Sequence, residues 1–228
     1  MIAKDSHPTC PVGEKHCEYL DEIASLRRQV RELSKLVHKD SLTGIFNFRF
    51  LIQSLELEME RTRRCDVPTV LILADLDHFK QVNDTWGHKT GNDALVQIAN
   101  SIRGVVRKLD IPCRFGGEEF AIILPSTELL VGIQVAERIR NTIQQTPLLT
   151  NDGEINLTAS FGVDVYVATQ NETPELFIKR TDLYLYQAKT DGRNCVAHAT
   201  SERIKAESNI TAGERNALFN LFRPDKKR

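Results

Sequence analysis

The segment Thr69-Val70-Leu71-Ile72-Leu73-Ala74-Asp75-Leu76-Asp77 constrains this chain more than any other. It is apolar and rich in branched side chains until its last residues. It therefore predicts a buried strand that delivers the carboxylates of Asp75 and Asp77 at its C-terminal edge.

The surrounding sequence, from Asp40 onward, has a mixed α/β texture. Phe48 to Arg64 predicts a helix ending before Pro68, and His88 to Arg107 another, with Leu95, Ile98, Ala99, Ile102 and Val106 on one face. Ile111–Phe115 and Phe120–Leu124 predict short strands around Gly116-Gly117, the pattern of a tight hairpin. A helix over Glu128–Gln145, a strand over Ile155–Val167 and a helix over Pro174–Lys189 follow, with Pro174 suited to a first turn. Asn194–His198 predicts a last strand, and the tail from Thr200 is polar, a loosely attached helix or disorder. No internal repeat is present.

Before Asp40 the pattern changes. With Ile23, Val30 and Val37 at heptad position a, Tyr19, Leu26 and Leu33 fall at d, flanked by charges. β-Branched residues at a with Leu at d favour a parallel two-stranded coiled coil. The alternative is an amphipathic helix lying on its own domain. The division expected is a Cys/His-containing segment at 1–17, a coiled-coil dimerisation helix at 18–39, a mixed α/β domain at 40–199 and a tail at 200–228.

Composition narrows the setting. Hydrophobic residues are 41% and charged residues 27% of the 228, enough for both a core and a solvated surface. A net charge of -1 gives no support for a nucleic-acid or anionic-membrane binder. The N-terminus lacks the apolar region of a secretory signal, and the longest strongly apolar run, Val70–Ala74, is far too short to span a bilayer. Five scattered cysteines suit reduced thiols, so the expected location is cytoplasmic. His7, Cys10, His16 and Cys17 are soft enough to hold Zn²⁺ but lack a CxxC spacing, and they equally suit incidental thiols in a flexible N-terminus.

A second acidic pair, Glu118-Glu119, follows the double glycine directly. Carboxylates brought together from two strands suit Mg²⁺, which takes oxygen ligands and keeps substrate phosphate among them. Taken singly, either pair would equally suit solvated loop-end acids.

The motifs now converge on a family. Phe115-Gly116-Gly117-Glu118-Glu119-Phe120 resembles the signature of GGDEF-family diguanylate cyclases, in its GGEEF form. Asp40-Ser41-Leu42-Thr43-Gly44-Ile45-Phe46-Asn47-Phe48-Arg49 resembles the family's opening DxLTGLxNRR, with Phe48 in place of an arginine. Asp75-Leu76-Asp77-His78-Phe79-Lys80-Gln81-Val82-Asn83-Asp84-Thr85-Trp86-Gly87-His88 resembles DxDxFKxxNDxxGH, and Lys189-Thr190-Asp191-Gly192-Arg193-Asn194 resembles KxxGRN. The match runs in order over about residues 40 to 198.

The resemblance implies an α+β fold: a central mixed β-sheet flanked by helices, similar to nucleotidyl cyclase and palm domains. It implies condensation of two GTP into cyclic di-GMP across a homodimer, each protomer holding one nucleotide. By the same similarity Asp75, the Leu76 carbonyl and Glu118 would ligate Mg²⁺ or Mn²⁺. Glu118, Glu119 and Lys80 would serve catalysis, Glu119 as a ligand or as acceptor of the 3′-hydroxyl proton. Phe79, Lys80, Lys189 and Arg193 would meet the triphosphate, Asn83 and Asn92 the guanine, with Asp84 and His88 also among the substrate-binding positions. Arg107 and Asp110 form the RxxD of a product-inhibition site, to which Arg138 falls where a neighbouring protomer often adds an arginine.

Asn92 departs from the family's aspartate. A carboxylate presents two acceptors to guanine's two donors, whereas an amide presents one oxygen and two donors. Either Asn92 accepts one bond and GTP selectivity persists, or selectivity relaxes and some cyclic GMP–AMP forms. A catalytically silent cyclic di-GMP-binding module is a rival possibility, against which the intact acids speak. A polymerase-like palm is another, for which basic surface and length are lacking. The input signal, the role of the tail and the process regulated are not legible.

Overall fold

The computed structural model describes residues 19–150 and 153–200, without the side chains of residues 20, 21 and 30–37. The Cys/His segment and the tail expectations lie outside them. Helix α1 (Tyr19–His38) leads into a clip of chain, and α2 (Phe48–Cys65) follows. Asn47 caps α2 by accepting from the Phe50 amide at 3.1 Å, and Asp66 ends it in the left-handed region at φ 55°. One helical stripe, Leu51, Leu55, Met59 and Thr62, is buried.

Strand β1 (Thr69–Leu76) is buried along its whole length. It lies at the centre of a five-stranded sheet of order β2-β3-β1-β6-β7, built with β2 (Ile111–Gly116), β3 (Glu119–Leu124), β6 (Ala159–Tyr166) and β7 (Val196–His198). β1 runs antiparallel to β3 and β6, while β6 and β7 are parallel, so the sheet is mixed as expected. The two-residue period of a strand divides the core. Val70, Ile72, Ala74 and Leu76 pack with α3 (Phe79–Val105) and α4 (Leu129–Gln145). Leu71 and Leu73 face the other way, with Leu51 and Leu55 of α2 and Phe177 and Leu185 of α5 (Pro174–Thr190). By the same parity Asp75 emerges on the α2/α5 side.

Three expectations are corrected. Helix α3 begins nine residues before His88, at Phe79, and bends where Gly87 adopts φ 82° and ψ 160°. Only Val82 of its first segment is deeply buried there, so apolar periodicity could not reveal that segment. The run Ile155–Val167 is not one strand: β5 (Gly153–Ile155) pairs with β4 (Leu148–Thr150) in a separate hairpin, and β6 starts at Ala159. The last strand begins at Val196 rather than Asn194, because Arg193 and Asn194 sit at φ 64° and 45°.

Cys113 on β2 is fully buried, and burial pushes its thiol up to about 12, whereas Cys65 is exposed. Only the thiolate is a competent nucleophile. Alkylation of the native chain at pH 8, followed by peptide mass mapping, should modify Cys65 and spare Cys113 until the protein is unfolded.

Candidate active site

The signature hairpin joins β2 to β3, with its bend at Gly117, whose φ of 46° a side chain would strain. Its position is set by an arginine outside every motif quoted above. Arg114 donates to the Gly117 carbonyl from Nε at 3.1 Å and from Nη2 at 2.8 Å. Its Nη1 also reaches Asp40 Oδ1 at 3.3 Å. Asp40 accepts from the Thr43 amide at 2.8 Å and hydroxyl at 2.6 Å. The opening DxLT motif thus braces the hairpin rather than touching the carboxylates itself. A polar pair 74 residues apart carries no local sequence signal.

Burial opposes ionisation of Asp40, yet the Thr43 donors and the Arg114 guanidinium outweigh it and hold the carboxyl below the usual range. A depressed carboxyl contributes stability above its unfolded pKa, lost as pH falls through the folded one. The protection of the Gly116 and Gly117 amides, measured as hydrogen exchange relative to the intrinsic rate at each pH, should therefore fall below about pH 4, the ordinary aspartate range. Arg114→Ala should bring that loss of protection to neutral pH and cost about 1–3 kcal/mol in denaturant unfolding.

Register brings the expected acids together. Asp75 stands opposite Glu119 of β3 on one side and Ser160 of β6 on the other, and the Leu76 amide donates to the Glu118 carbonyl at 3.3 Å. Lys189, in the last turn of α5, places Nζ 2.8 Å from Asp75 Oδ2. Burial raises the Asp75 pKa; Lys189 works against that, and Glu118 and Asp77 add to it. Burial likewise raises that of Glu119, with Asp75 next and Lys189 opposing. A half-buried negative cluster with a raised first member is a place that accepts a cation.

Asp77 has another role. It accepts from Ser160 Oγ at 2.7 Å, Thr158 Oγ1 at 2.9 Å and the Asn194 amide at 3.0 Å. It therefore ties the end of β1 to the start of β6 and to the left-handed turn at Gly192, Arg193 and Asn194 that follows Lys189. Its carboxylate oxygens are both engaged in these contacts.

Two residues past β1, His78 at φ 57° starts α3, and no side chain caps that helix. The first amides of α3, at Phe79 and Lys80, are the kind of N-terminal donors that bind phosphate. Lys80 is exposed, as are Asp84, His88, Asn92 and Arg193, while Asn83 is half-buried. Asn83 lies over Gly91, where a Cβ would collide with Asn83 Oδ1. Asn83 and the segment bearing Asn92 are thus neighbours across the Gly87 bend.

Arg107 and Asp110 form a closed turn at the end of α3, the Arg107 amide donating to Asp110 Oδ2 at 2.7 Å. Arg138 of the same chain lies beside this turn, donating to the Val105 carbonyl at 3.5 Å and close enough to act on the Asp110 charge. The reason is packing: α4 lies against α3, which carries Arg138 to the RxxD turn in its own chain.

Among the described residues, no group of three or more His, Cys, Asp or Glu is arranged to hold a metal. The Asp75 and Glu118 carboxylates lie close enough for their charges to act on each other. One or two carboxylates, with the rest from phosphate, is how Mg²⁺ is usually bound at triphosphates, so the chemistry of this pair fits. No helix among the described residues is long and apolar enough to cross a membrane.

The family model for "Diguanylate cyclase, GGDEF domain" matches residues 37–195. The response regulator PleD of Caulobacter vibrioides is 39% identical over 173 residues, covering 75% of this chain and 38% of its own length. Diguanylate cyclase DgcP of Pseudomonas aeruginosa is 39% identical over 155 residues, covering 68% of this chain and 23% of its own. This chain thus spans well under half the length of these relatives. Among solved structures, the coiled coil and GGDEF domain of DgcB from Caulobacter crescentus, in complex with c-di-GMP, superposes with a TM-score of 0.74 at 28% identity. That match covers 80% of this chain and 96% of the other. Diguanylate cyclase SiaD of Pseudomonas aeruginosa, in complex with its activator SiaC, gives 0.71 at 36% identity, covering 78% and 68%.

Proposed function

We propose, from the premise that this chain belongs to the GGDEF family of diguanylate cyclases, that it condenses two GTP molecules into cyclic di-GMP and two pyrophosphates. The observation that carries this reading is the pairing of Asp75 with Glu119 across β1 and β3, with Lys189 2.8 Å from Asp75.

In this reading each protomer binds one GTP. The uncapped start of α3 offers the Phe79 and Lys80 amides to the β- and γ-phosphates, and the Lys80, Lys189 and Arg193 side chains add positive charge. Asn83 and Asn92 face the base; Asp84 and His88 belong to the same binding block. Asp75, the Leu76 carbonyl and Glu118 would hold Mg²⁺ or Mn²⁺, which neutralises developing phosphoryl charge when bound. Glu119, whose pKa burial and then Asp75 raise, is suited to take the proton of the 3′-hydroxyl. That hydroxyl attacks the facing nucleotide's α-phosphate, and pyrophosphate leaves.

One chain supplies half of such a site, so dimerisation is part of the reading. Tyr19 and Leu26 of α1 are 59% and 51% exposed, leaving an apolar seam for a second copy in a coiled coil. Pairing there raises the effective concentration of the facing half-site. The division into a helix over 18–39 and a catalytic domain over 40–199 follows from the same roles. Purified chain with Mg²⁺ should release one pyrophosphate per GTP, with specific activity rising with protein concentration until dimers form.

The turn of Arg107 and Asp110, with Arg138 beside it, supports product inhibition. Arginine grips phosphate bidentately and stacks on guanine. Arg107→Ala should raise the cyclic di-GMP concentration needed for half-inhibition about 10- to 100-fold, the scale of a charge-assisted contact. Turnover without product should hardly change, because Arg107 is remote from Asp75 in this reading.

A further inference from the structure

An apolar groove of about 440 Å³ opens between α2 and α5, beside the carboxylates but on the flank away from α3. Phe48, Ile52, Phe115 and Ile178 form its walls, with Phe48 and Phe115 edge-to-face at a centroid distance of 5.1 Å. Phe48 remains 46% exposed, and the patch continues along the outer face of α5 through Leu183 and Tyr186, 59% and 67% exposed. Continuous exposed apolar surface of this kind marks an interaction site. Of its lining, only Glu119 enters the reaction proposed above.

The groove also has a charge. Glu119, Glu175 and Asp182 line it, against Lys179. An occupant should therefore be apolar with basic flanks. The chain itself carries such a segment beyond Thr200: Ala217-Leu218-Phe219-Asn220-Leu221-Phe222, preceded by Arg215 and followed by Arg223, Lys226, Lys227 and Arg228. Leu218, Phe219, Leu221 and Phe222 are the large apolar side chains that the groove lacks.

Reach permits it. The described chain leaves the sheet from β7, whose neighbour in the fold is α5. Residues 201–216 then intervene before Ala217. Extended, they span about 50 Å, roughly twice the 25 Å length of a 17-residue helix such as α5. The tail is therefore long enough to run the full length of α5, which forms one wall of the groove, and still reach it. Tethering also favours it over a free partner by effective concentration.

We propose that Ala217–Phe222 docks in cis in the α2/α5 groove, its basic flanks on Glu175 and Asp182. The docking goes beyond the cyclase reading and stands apart from it.

The test uses the full chain with p-benzoylphenylalanine at Phe48, an aromatic exchange at an exposed position. Irradiation of a mixture of isotopically light and heavy protein, followed by peptide mass spectrometry, identifies what lies in the groove. The expected product joins position 48 to a peptide containing Leu218–Phe222 of the same isotopic chain, and L218D/F222D should reduce its yield at least tenfold. A second probe at Lys179 should give the same product. Capture of the other isotopic chain would show a second copy seated there and overturn the proposal. So would the absence of any tail peptide from both probes. Neither readout depends on turnover, so failure of the docking and failure of the cyclase reading are told apart.

Discussion

Asp75→Asn should lower GTP turnover by about 10²- to 10³-fold, the several kcal/mol that charge stabilisation by a bound metal supplies. The exchange keeps the shape of the side chain and removes its negative charge. The fold should survive it. In the native structure Asp75 is disfavoured as an anion, by burial first and by Glu118 and Asp77 besides. A group with that sign opposes folding when ionised, so a neutral amide should leave thermal stability unchanged or slightly raised. Lys189 loses its partner but is 32% exposed and can be hydrated. The two readouts together discriminate: lost turnover with an unchanged melting temperature is the signature of a ligand. Preserved turnover would remove Asp75 from the site, and an unfolded protein would mark it as structural.

Gly162→Ala should be the most disruptive single-methyl addition in the core. A Cβ on Gly162 would collide with the Leu185 amide nitrogen and lie 2.7 Å from the Thr181 carbonyl oxygen and 2.9 Å from the Leu185 Cα. All three atoms are α5 backbone, which has no rotamer with which to yield. The helix must lift from β6, loosening Phe177 and Leu185 and carrying Lys189 away from Asp75. Overpacking of this kind costs about 1–3 kcal/mol and sometimes more. In a protein of this size each kcal/mol lowers the melting temperature by about 2–4 °C. A fall of roughly 5–10 °C is expected in thermal unfolding, together with reduced turnover of the protein that remains folded.

What was legible in the sequence follows from which forces write locally. β1 and the hairpin after it were visible because apolar runs and paired glycines are local signals, and the acids at their ends came with them. Helices α2, α4 and α5 carry enough buried residues in one stripe to declare their period. The segment Phe79–Trp86 does not, since its first turn is shaped by the left-handed His78 rather than by burial. The hairpin of β4 and β5 uses three residues per strand, too few for alternation to register. In the candidate site the acids were visible from the sequence, but only the family resemblance singled out Asp75. By composition and spacing alone Asp75 and Asp77 look equivalent, yet the second is engaged by Ser160, Thr158 and Asn194. Arg114 and Arg138 act through contacts made only when distant segments pack. Their importance is a property of the fold, not of their neighbours in the chain.

The most direct test of the central proposal is analysis of products by liquid chromatography and mass spectrometry, with purified chain and Mg²⁺ given GTP alone, ATP alone, or an equal mixture. Cyclic di-GMP from GTP, and as the product of the mixture, is the predicted result. A mixed GMP–AMP product would keep the cyclase but assign relaxed base selectivity to Asn92. No cyclic dinucleotide under any condition, alongside tight binding of added cyclic di-GMP, would contradict the proposal and make this chain a binding module instead.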